Sequence, residues 1–285
     1  MLSLYSQALF KRANLPALTQ FRPPSLPQRI YSQSVAPRQE HYRRYCDVVG
    51  WHDSDQVHPC YLQVLALRLQ LKCLLDKKSP FAAMGLIHIE NAIEVHRTPD
   101  LAQPIDLRVR FKSVKQHRHG WLLTLEVQAF QDEKCIHEAT SGYLARVHAA
   151  HVGLRQPENG GQHPLPAGDV AGELDADAGI GRRYARVAGD INPIHLSAVS
   201  ARLFGFKSAL AHGMWSLAAA ASNIVDEQHN HSAKGVIEAL SCSFHKPLLL
   251  PGSAEVRMDK ATTPYGFTVA RDDTLFISGK IGLTD

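Results

Sequence analysis

The chain has 285 residues, of which 45% are hydrophobic, and this is enough apolar material for one or two ordinary domain cores. It carries 31 Lys and Arg residues against 27 Asp and Glu residues, a formal net charge of +4 at pH 7. This composition excludes a disordered or collagen-like chain, and without a block of like charges it gives no sign of a nucleic-acid footprint or a polybasic membrane anchor.

Residues 1–34 are predicted to form an N-terminal arm. They contain four basic residues and no Asp or Glu, a composition that a mitochondrial transit peptide shares with an arm packed on the following domain. We favour the packed arm, because four prolines prevent one long amphipathic helix: Pro16, Pro23, Pro24 and Pro27.

Residues 35–147 are predicted to form a first domain of one helix and four strands. The helix is expected over residues 60–75, where Pro59 suits a helix start and apolar residues recur at helical spacing: Leu62, Leu65, Ala66, Leu69 and Cys73. The strands are expected where alternating or β-branched runs occur: residues 86–95, 105–111, 121–130 and 141–147. A Gly- and Pro-rich linker is predicted over residues 148–170, and its three histidines lack the spacing of metal ligands.

Residues 171–285 repeat the organisation of the first domain. A Tyr, a Val and a Gly share the same spacing in residues 45–50 and 184–189, and His58 and His212 then precede two apolar helical runs. The second copy predicts one helix and four strands, in order residues 214–227, 236–244, 254–260, 265–271 and 275–281. The sequence therefore predicts an α+β chain built from two copies of one unit.

The copies differ in the segment that leads to the long helix. Gly50 precedes His58 by 8 positions, whereas Gly189 precedes His212 by 23. The longer segment contains the string Asp190-Ile-Asn-Pro-Ile-His195. The second copy is therefore where we expect chemistry that the first copy lacks.

Asp190 and His195 flank a predicted turn, because Pro193 holds the preceding residue out of helical geometry. A turn can aim both side chains at one water molecule, and a carboxylate beside an imidazole suits proton transfer near neutral pH. A purely structural turn, in which Asp190 accepts backbone N–H groups and His195 is a cap, stays open at this point. A short helix is expected over residues 197–204, ended by Gly205.

Gly213 lies at the predicted start of the second long helix. The first N–H groups of a helix have no partner within it, so they form a donor site for an oxygen that gains negative charge, such as a thioester carbonyl. The alternative is that Gly213 only permits a close helix-strand crossing, with His212 as a core or capping residue.

Taken together, these residues resemble a known family. The strings Tyr184-x-x-x-x-Gly-Asp-x-Asn-Pro-Ile-His195, Gly205-Phe206 and Ala211-His-Gly-Met214 are similar to the hydratase motif of MaoC-like dehydratases and (R)-specific enoyl-CoA hydratases. Residues 244–252 also look like a strand and turn of that family. With the internal repeat, the resemblance implies a double hotdog fold, in which a curved antiparallel sheet wraps each long helix and the two sheets pair.

The resemblance implies a role for each residue of the motif. Asp190 and His195 would bind the catalytic water. The N–H of Gly213 would face the thioester oxygen, and Asn192 would orient the turn. This chain departs from the family at Ala188, where many members have Ser.

The implied activity is reversible syn hydration of a trans-2-enoyl thioester to the (R)-3-hydroxyacyl thioester, on coenzyme A or acyl-carrier protein. We expect no bound cofactor, since CoA or pantetheine would enter only as part of the substrate, and no metal ion. Candidate residues for the phosphate-bearing tail of the substrate are the basic residues near the cleft: Arg182, Arg183, Lys207 and Lys246.

The first copy lacks the motif. His52, Asp53 and Asp55 follow Gly50, but the short loop omits the catalytic turn, so we expect no second active site. The resemblance instead implies a vacated half-site that makes room for the acyl chain.

Two other classes of protein share such a fold. A hotdog thioesterase usually has an acid or an Asn on the long helix, and only Asn223 fits that position. A non-catalytic acyl-thioester-binding protein would keep the fold without needing Asp190 and His195.

The cysteines indicate the compartment. They are five in number and scattered, with no C-x-x-C pair, which disfavours a disulfide framework and predicts the cytoplasm or, for a eukaryotic chain, the mitochondrial matrix. No stretch reaches the roughly 18 consecutive apolar residues of a membrane-spanning helix. We expect a homodimer or a monomer whose copies form a pseudo-dimer, and no nucleic-acid partner.

Overall fold

The computed structural model describes residues 2–52, 56–153, 168–230 and 235–284. The helices of the first half are α1 (Leu2–Phe10), α2 (Leu15–Leu18), α3 (Gln39–Val49) and α4 (Tyr61–Leu74). Its strands are β1 (Tyr31–Val35), β2 (Ile87–Val95), β3 (Ile105–His117), β4 (Gly120–Gln131) and β5 (Lys134–Arg146).

The second half has the same kinds of element. Its strands are β6 (Asp169–Ala176), β7 (Val236–Phe244), β8 (Gly252–Asp259), β9 (Tyr265–Arg271) and β10 (Thr274–Thr284). Its helices are α5 (Ile180–Ala188), α6 (Ala198–Arg202) and α7 (Gly213–Asn230), and a 3-10 turn covers Pro193–His195.

The strands form one antiparallel sheet in the order β1-β3-β4-β5-β2-β7-β10-β9-β8-β6. The two halves meet at the centre, where β2 pairs with β7 from Glu90 opposite Ser243 to Glu94 opposite Ala239. Read outwards from this centre, the strand order of the second half repeats that of the first. This confirms the predicted double hotdog fold, with one long helix, α4 or α7, in each copy.

The core follows from the alternation of apolar residues along the strands. In β3, every second residue is buried, beginning with Ile105, Leu107 and Val109, and α4 packs against this strand. In the second half α7 packs against β6 and β8. One continuous cluster of buried residues joins both halves, and Trp215 of α7 donates to the carbonyl of Val48 across them at 2.9 Å.

Each copy contains a strand that the sequence did not predict. β1 crosses the predicted boundary at residue 34, and β6 begins at Asp169, inside the predicted linker. Both are end strands of the sheet, and β1 consists of Tyr-Ser-Gln-Ser-Val with an exposed middle. Such short edge strands carry a weak apolar pattern, so their pairing partner decides their structure. The run predicted at residues 141–147 is only the second part of β5.

The helix predicted over residues 197–204 is shorter than expected. Ser197 caps it as predicted, since its hydroxyl accepts from the N–H of Ser200 at 3.0 Å. The helix itself, α6, ends at Arg202. Gly205 is left-handed (φ 84°) but lies beyond the helix end.

The N-terminal arm packs on the first copy. Its two short helices lie on either side of Lys11 to Asn14, and the backbone N–H of Asn14 donates to the carbonyl of Pro80 at 2.8 Å. The indole of the buried Trp121 donates to the carbonyl of Leu18 at 2.7 Å. No helix in the described part of the chain is long and apolar enough to cross a membrane.

Candidate active site

The turn that carries Asp190 begins where α5 ends. Gly189 caps α5 in the left-handed conformation (φ 77°), and its N–H donates to the carbonyl of Ala185. Asn192 caps the following 3-10 turn, because its side-chain oxygen accepts from the N–H of Ile194 at 3.5 Å. The N–H of Asn192 donates to Oδ1 of Asp190 at 3.2 Å. The chain is therefore folded back at this point, as the Asn-Pro pair predicts.

His195 lies at the other end of the turn with its ring held in place. Its Nδ1 bonds the backbone carbonyl of Leu210 at 2.9 Å. Because a carbonyl only accepts, Nδ1 carries the hydrogen and Nε2 keeps a lone pair. The ring also stacks on that of His212, with centroids 3.8 Å apart and planes 27° from parallel. His195 thus offers a basic nitrogen in a defined orientation.

His212 supports both members of the pair. It is buried, its Nε2 donates to the backbone carbonyl of Asp190 at 3.1 Å, and its ring lies against His195. Its Nδ1 has no hydrogen-bond partner among the described residues. The sequence left open whether His212 is only a core or capping residue. In the structure it is buried and contacts both Asp190 and His195.

The electrostatics favour an ionised Asp190 beside a neutral His195. Burial, the largest single influence, opposes ionisation of Asp190, but the His212 and His195 rings and two hydrogen bonds together more than offset it, so the pKa of this carboxyl lies below its ordinary value. Hydrogen bonds from Tyr5 and from the backbone of Asn192 act in the same direction. Burial lowers the pKa of His195, although Asp190 opposes this, and burial lowers the pKa of His212 to about 3. At neutral pH the pair is a carboxylate and an imidazole.

The pair lines a cavity of about 450 Å³ between the two copies. The second copy contributes Asp190, His195, Gly213 and Phe244. The first copy contributes residues of α4, β2 and β5: Gln63, Val64, Leu67, Gln70, His88 and Tyr143. The first copy, which was predicted to make room for the acyl chain, therefore forms one wall of the cavity.

Two wall residues were not singled out in the sequence. His88 stacks on Tyr143 with ring centroids 4.7 Å apart, and it lies 4.9 Å from the ring of Phe244. Burial lowers the pKa of His88 to about 4, so the ring is neutral near pH 7. The Tyr143 hydroxyl donates to Gln70 at 3.3 Å. Both residues lie in strands, where alternating polar residues normally mark a solvated face, so no local signal distinguishes them.

Gly213 is the first residue of α7 and lines the cavity. Its N–H is among those that a helix leaves unpaired. A Cβ built at Gly213 would lie 3.0 Å from the ring of Phe244. A side chain here would therefore press first on Phe244, so close packing and the proposed donor role both favour glycine.

Of the four predicted basic residues, the structure brings Lys246 to the cavity wall. Arg183 forms a two-pronged salt bridge with an aspartate, and Arg182 donates to a backbone carbonyl. Neither of these, nor the exposed Lys207, is among the described residues that line the cavity. Arg146, which the sequence did not single out, does line it.

The loop of the first copy is only partly described. Nδ1 of His52 lies 3.1 Å from a carboxylate oxygen of Asp226, and 77% of its side chain is exposed. His52 is not among the described residues of the cavity wall. Asp53 and Asp55 lie outside the described residues.

Two groups of described side chains could each hold a metal ion, since their ligand atoms lie within 4.8 Å of one another. One is Asp190, His195 and His212, and the other is His96, Cys135 and Glu138. In the first group, each histidine already uses one nitrogen on a backbone carbonyl. The Asp190 carboxylate and the His195 ring can instead hold a water molecule, which is the arrangement that the sequence predicts.

The second copy matches a family model described as "MaoC like domain", over residues 179–270. A relative named 3-hydroxyacyl-thioester dehydratase X, from Mycobacterium tuberculosis (strain ATCC 25618 / H37Rv), is 32% identical over 211 residues. The alignment covers 74% of this chain and 72% of the relative.

Two crystal structures have a similar fold. HtdX of Mycobacterium tuberculosis superposes with a TM-score of 0.74 and 25% identity, covering 90% of this chain and all (100%) of that chain. A MaoC-like dehydratase from Phytophthora capsici superposes with a TM-score of 0.74 and 18% identity, covering 96% of this chain and 98% of that one. The second likeness shows a shared fold alone.

Proposed function

The chain belongs to the MaoC-like dehydratase family, and from that premise we propose that it is a hydro-lyase that interconverts trans-2-enoyl and (R)-3-hydroxyacyl thioesters. The observation that carries the proposal is the pairing of Asp190 and His195 on the wall of a cavity that also contains the start of α7. A carboxylate, a neutral imidazole and a helix N-terminus are the groups that this reaction needs.

In the hydration direction, the N–H of Gly213 would donate to the thioester oxygen and so draw electrons away from C3. Asp190 and His195 would hold the attacking water between them. As the water oxygen bonds to C3, Nε2 of His195 takes one of its protons and the electrons of the C2=C3 bond move toward the thioester oxygen. The proton then returns to C2 on the same face, which gives syn addition. Dehydration follows the same steps in reverse.

Water supplies every atom that is added, so we propose a reaction without a resident cofactor or metal ion. Asp190 and His195 transfer the protons by general acid-base catalysis. The expected result is full activity after dialysis against a chelator. Loss of activity that a divalent cation restores would instead assign the Asp190, His195 and His212 cluster to a metal.

The cavity wall supports an acyl thioester as substrate. Apolar residues of the first copy can contact an acyl chain: Val64, Leu67, Leu86 and Ile87. Among the described residues of the wall, Lys246 and Arg146 are the Lys and Arg side chains, and we propose that they meet the phosphate-bearing tail of coenzyme A or the acidic surface of a carrier protein.

The thioesterase alternative lacks support from its one candidate residue. Asn223 donates to the carbonyl of Ala219 at 2.8 Å, one turn earlier in α7. It is not among the described residues that line the cavity. A non-catalytic binding protein would not need Asp190 and His195 to be held in this orientation.

The sheet supports a pseudo-dimer within one chain, because β2 and β7 already pair the two copies. We infer that one chain holds a complete site, and sedimentation velocity measures whether two chains associate further. All of the cysteines are free, which supports a reducing compartment, the cytoplasm or the mitochondrial matrix.

The test is incubation of the purified protein with crotonyl-CoA and longer trans-2-enoyl-CoAs. Loss of the enoyl absorbance, with (R)-3-hydroxyacyl-CoA as the product on chiral analysis, is the expected result. Release of free coenzyme A without hydration would favour a thioesterase. Binding without either product would favour a non-catalytic protein.

A further inference from the structure

The N-terminal arm brings a tyrosine to the candidate active site. Tyr5 and Ala8 lie three positions apart in α1, and both are buried, with 8% and 1% of their surface exposed. The hydroxyl of Tyr5 donates to Oδ1 of Asp190 at 2.7 Å. The Tyr5 side chain therefore links α1 to the turn of the second copy.

The other end of α1 is held on the first copy. Nζ of Lys11 donates to the carbonyls of Leu74 and Asp76, at 2.5 and 2.8 Å, where α4 ends. α1 thus extends from the end of the first long helix to the catalytic turn of the second copy. Contacts at both ends hold the tyrosine in position.

Tyr5 supports Asp190 from outside the cavity. Asp190 and His195 line the cavity, whereas Tyr5 is not among its described wall residues. The Tyr5 hydroxyl and the N–H of Asn192 both donate to Oδ1 of Asp190. Since both of these donors engage one oxygen, Oδ2 is left to accept a hydrogen bond from water. Tyr5 therefore contacts Asp190 from behind and does not block the cavity, as a plugging segment would.

We propose that Tyr5 is a positioning residue of the hydration reaction, which orients the Asp190 carboxylate so that Oδ2 meets the water shared with His195. The proposal rests on the function proposed above for the Asp190 and His195 pair. Because Tyr5 acts through Asp190, loss of its hydroxyl should lower turnover rather than substrate binding.

The hydroxyl also favours the charged form of Asp190. The titratable groups that face this carboxyl come from several elements: Tyr5, His88, Tyr143, Tyr184, His195 and His212. Burial raises the pKa of Tyr5 well above its ordinary value, so the hydroxyl keeps its proton and remains a donor. Removing this donor should raise the pKa of Asp190.

The experiment replaces Tyr5 by Phe, which removes only the hydroxyl. Tyr31→Phe is the matched control, because Tyr31 also donates to a carboxylate, that of Asp76, away from the site. For Tyr5→Phe we expect kcat for crotonyl-CoA hydration to fall about tenfold, in keeping with a hydrogen bond to a charged group, and KM to change less than about twofold. Tyr31→Phe should keep the kcat of the unmodified protein.

Two further measurements separate positioning from a general effect on folding. In Tyr5→Phe the acid limb of kcat/KM should move to higher pH, since a carboxylate with fewer donors takes up a proton more readily. In an Asp190→Asn background, Tyr5→Phe should cause almost no further loss, because the group through which it acts is gone.

The proposal would be overturned if Tyr5→Phe kept the kcat of the unmodified protein and Asp190→Asn was inactive. An increase in kcat would also overturn it and would make α1 an occluding segment. If Asp190→Asn hydrates normally, the role proposed for the Asp190 and His195 pair fails instead. The hydrogen bond itself is then tested by 13C NMR titration of labelled aspartate, with Asp190→Asn to assign the signal, and an Asp190 pKa unchanged in Tyr5→Phe would overturn it.

Discussion

The two copies share one frame and differ in the segment that joins its helices. In each copy a helix ends at a left-handed glycine, Gly50 after α3 and Gly189 after α5. In each, a buried tyrosine, Tyr45 or Tyr184, has its ring within 5.4 Å of the histidine that precedes the long helix. Only in the second copy does the segment between the glycine and the histidine contain the Asp190 turn. The two copies therefore share one scaffold, and this insertion is what distinguishes the second copy.

The paired histidines show what this difference means. Nδ1 of His58 accepts from the N–H of Cys60 at 3.0 Å, and its Nε2 donates to the carbonyl of Ala218 at 3.2 Å. Burial lowers the pKa of His58 to about 4. His212 instead donates to the backbone of Asp190. The histidine before the long helix is a support in both copies, and the two residues that we propose to be reactive, Asp190 and His195, lie in the inserted turn.

The largest expected effect tests the inserted turn directly. Asp190→Asn and His195→Gln should each lower kcat by about 10²-fold or more, because one general acid-base group typically contributes about 10²- to 10⁴-fold. Steady-state hydration of crotonyl-CoA measures the loss, and thermal unfolding checks that the fold survives. Near-normal hydration in either variant would mean that the turn is only structural.

Gly213→Val tests the helix start that the second copy places beside its turn. We expect a loss of roughly 10²-fold in kcat, since removing one oxyanion donor typically costs about 2.7–4 kcal/mol. The added side chain would meet the ring of Phe244, 3.0 Å from the Cβ position. This contact would move the N–H of residue 213 away from the thioester carbonyl of the substrate. Unfolding must be followed in parallel, because crowding also destabilises. A stable variant with normal kcat would leave Gly213 a packing role alone.

A smaller effect compares the two left-handed glycines. Gly50→Ala and Gly189→Ala should each lower the free energy of unfolding by about 1 kcal/mol, the usual cost of a side chain in this conformation. Among the described residues other than its chain neighbours, no heavy atom lies within 4 Å of a Cβ built at Gly50, so there the cost is conformational. Only Gly189→Ala should also lower kcat, because it moves Asp190. Chemical denaturation and the hydration assay give the two quantities. An equal loss of kcat in Gly50→Ala would contradict the proposed division of roles.

The smallest effect is expected in the first copy's loop. His52→Ala, Asp53→Asn and Asp55→Asn should leave kcat for short acyl chains within about threefold of the unmodified protein. The loop that carries these residues lacks the turn with Asp190 and His195, and surface substitutions away from a site usually have small effects. The exposed His52 contacts Asp226 and so can affect stability only slightly. The hydration assay used for His195→Gln provides the comparison. A loss as large as in that variant would place an active site in the first copy.

Much of the fold was predictable because its signals are local. Helical spacing predicts α4 and α7, and period-2 alternation predicts the strands that bury one face. The repeated Tyr, Val and Gly spacing reveals two copies without any knowledge of contacts. The edge strands β1 and β6 escaped prediction, since a short polar segment becomes a strand only when a neighbour such as β3 offers its free edge.

The sequence by itself determined that Asp190 and His195 lie at the two ends of one turn and that α7 starts at Gly213. These features depend on residues close together in the chain, where a proline, a capping asparagine and a helix N-terminus limit the backbone to few conformations. Only the tertiary structure decided that Tyr5 reaches Asp190 across 185 positions, and that His88 faces the same cavity. Such contacts leave no periodic trace, because they depend on the packing of the whole core rather than on local backbone preference.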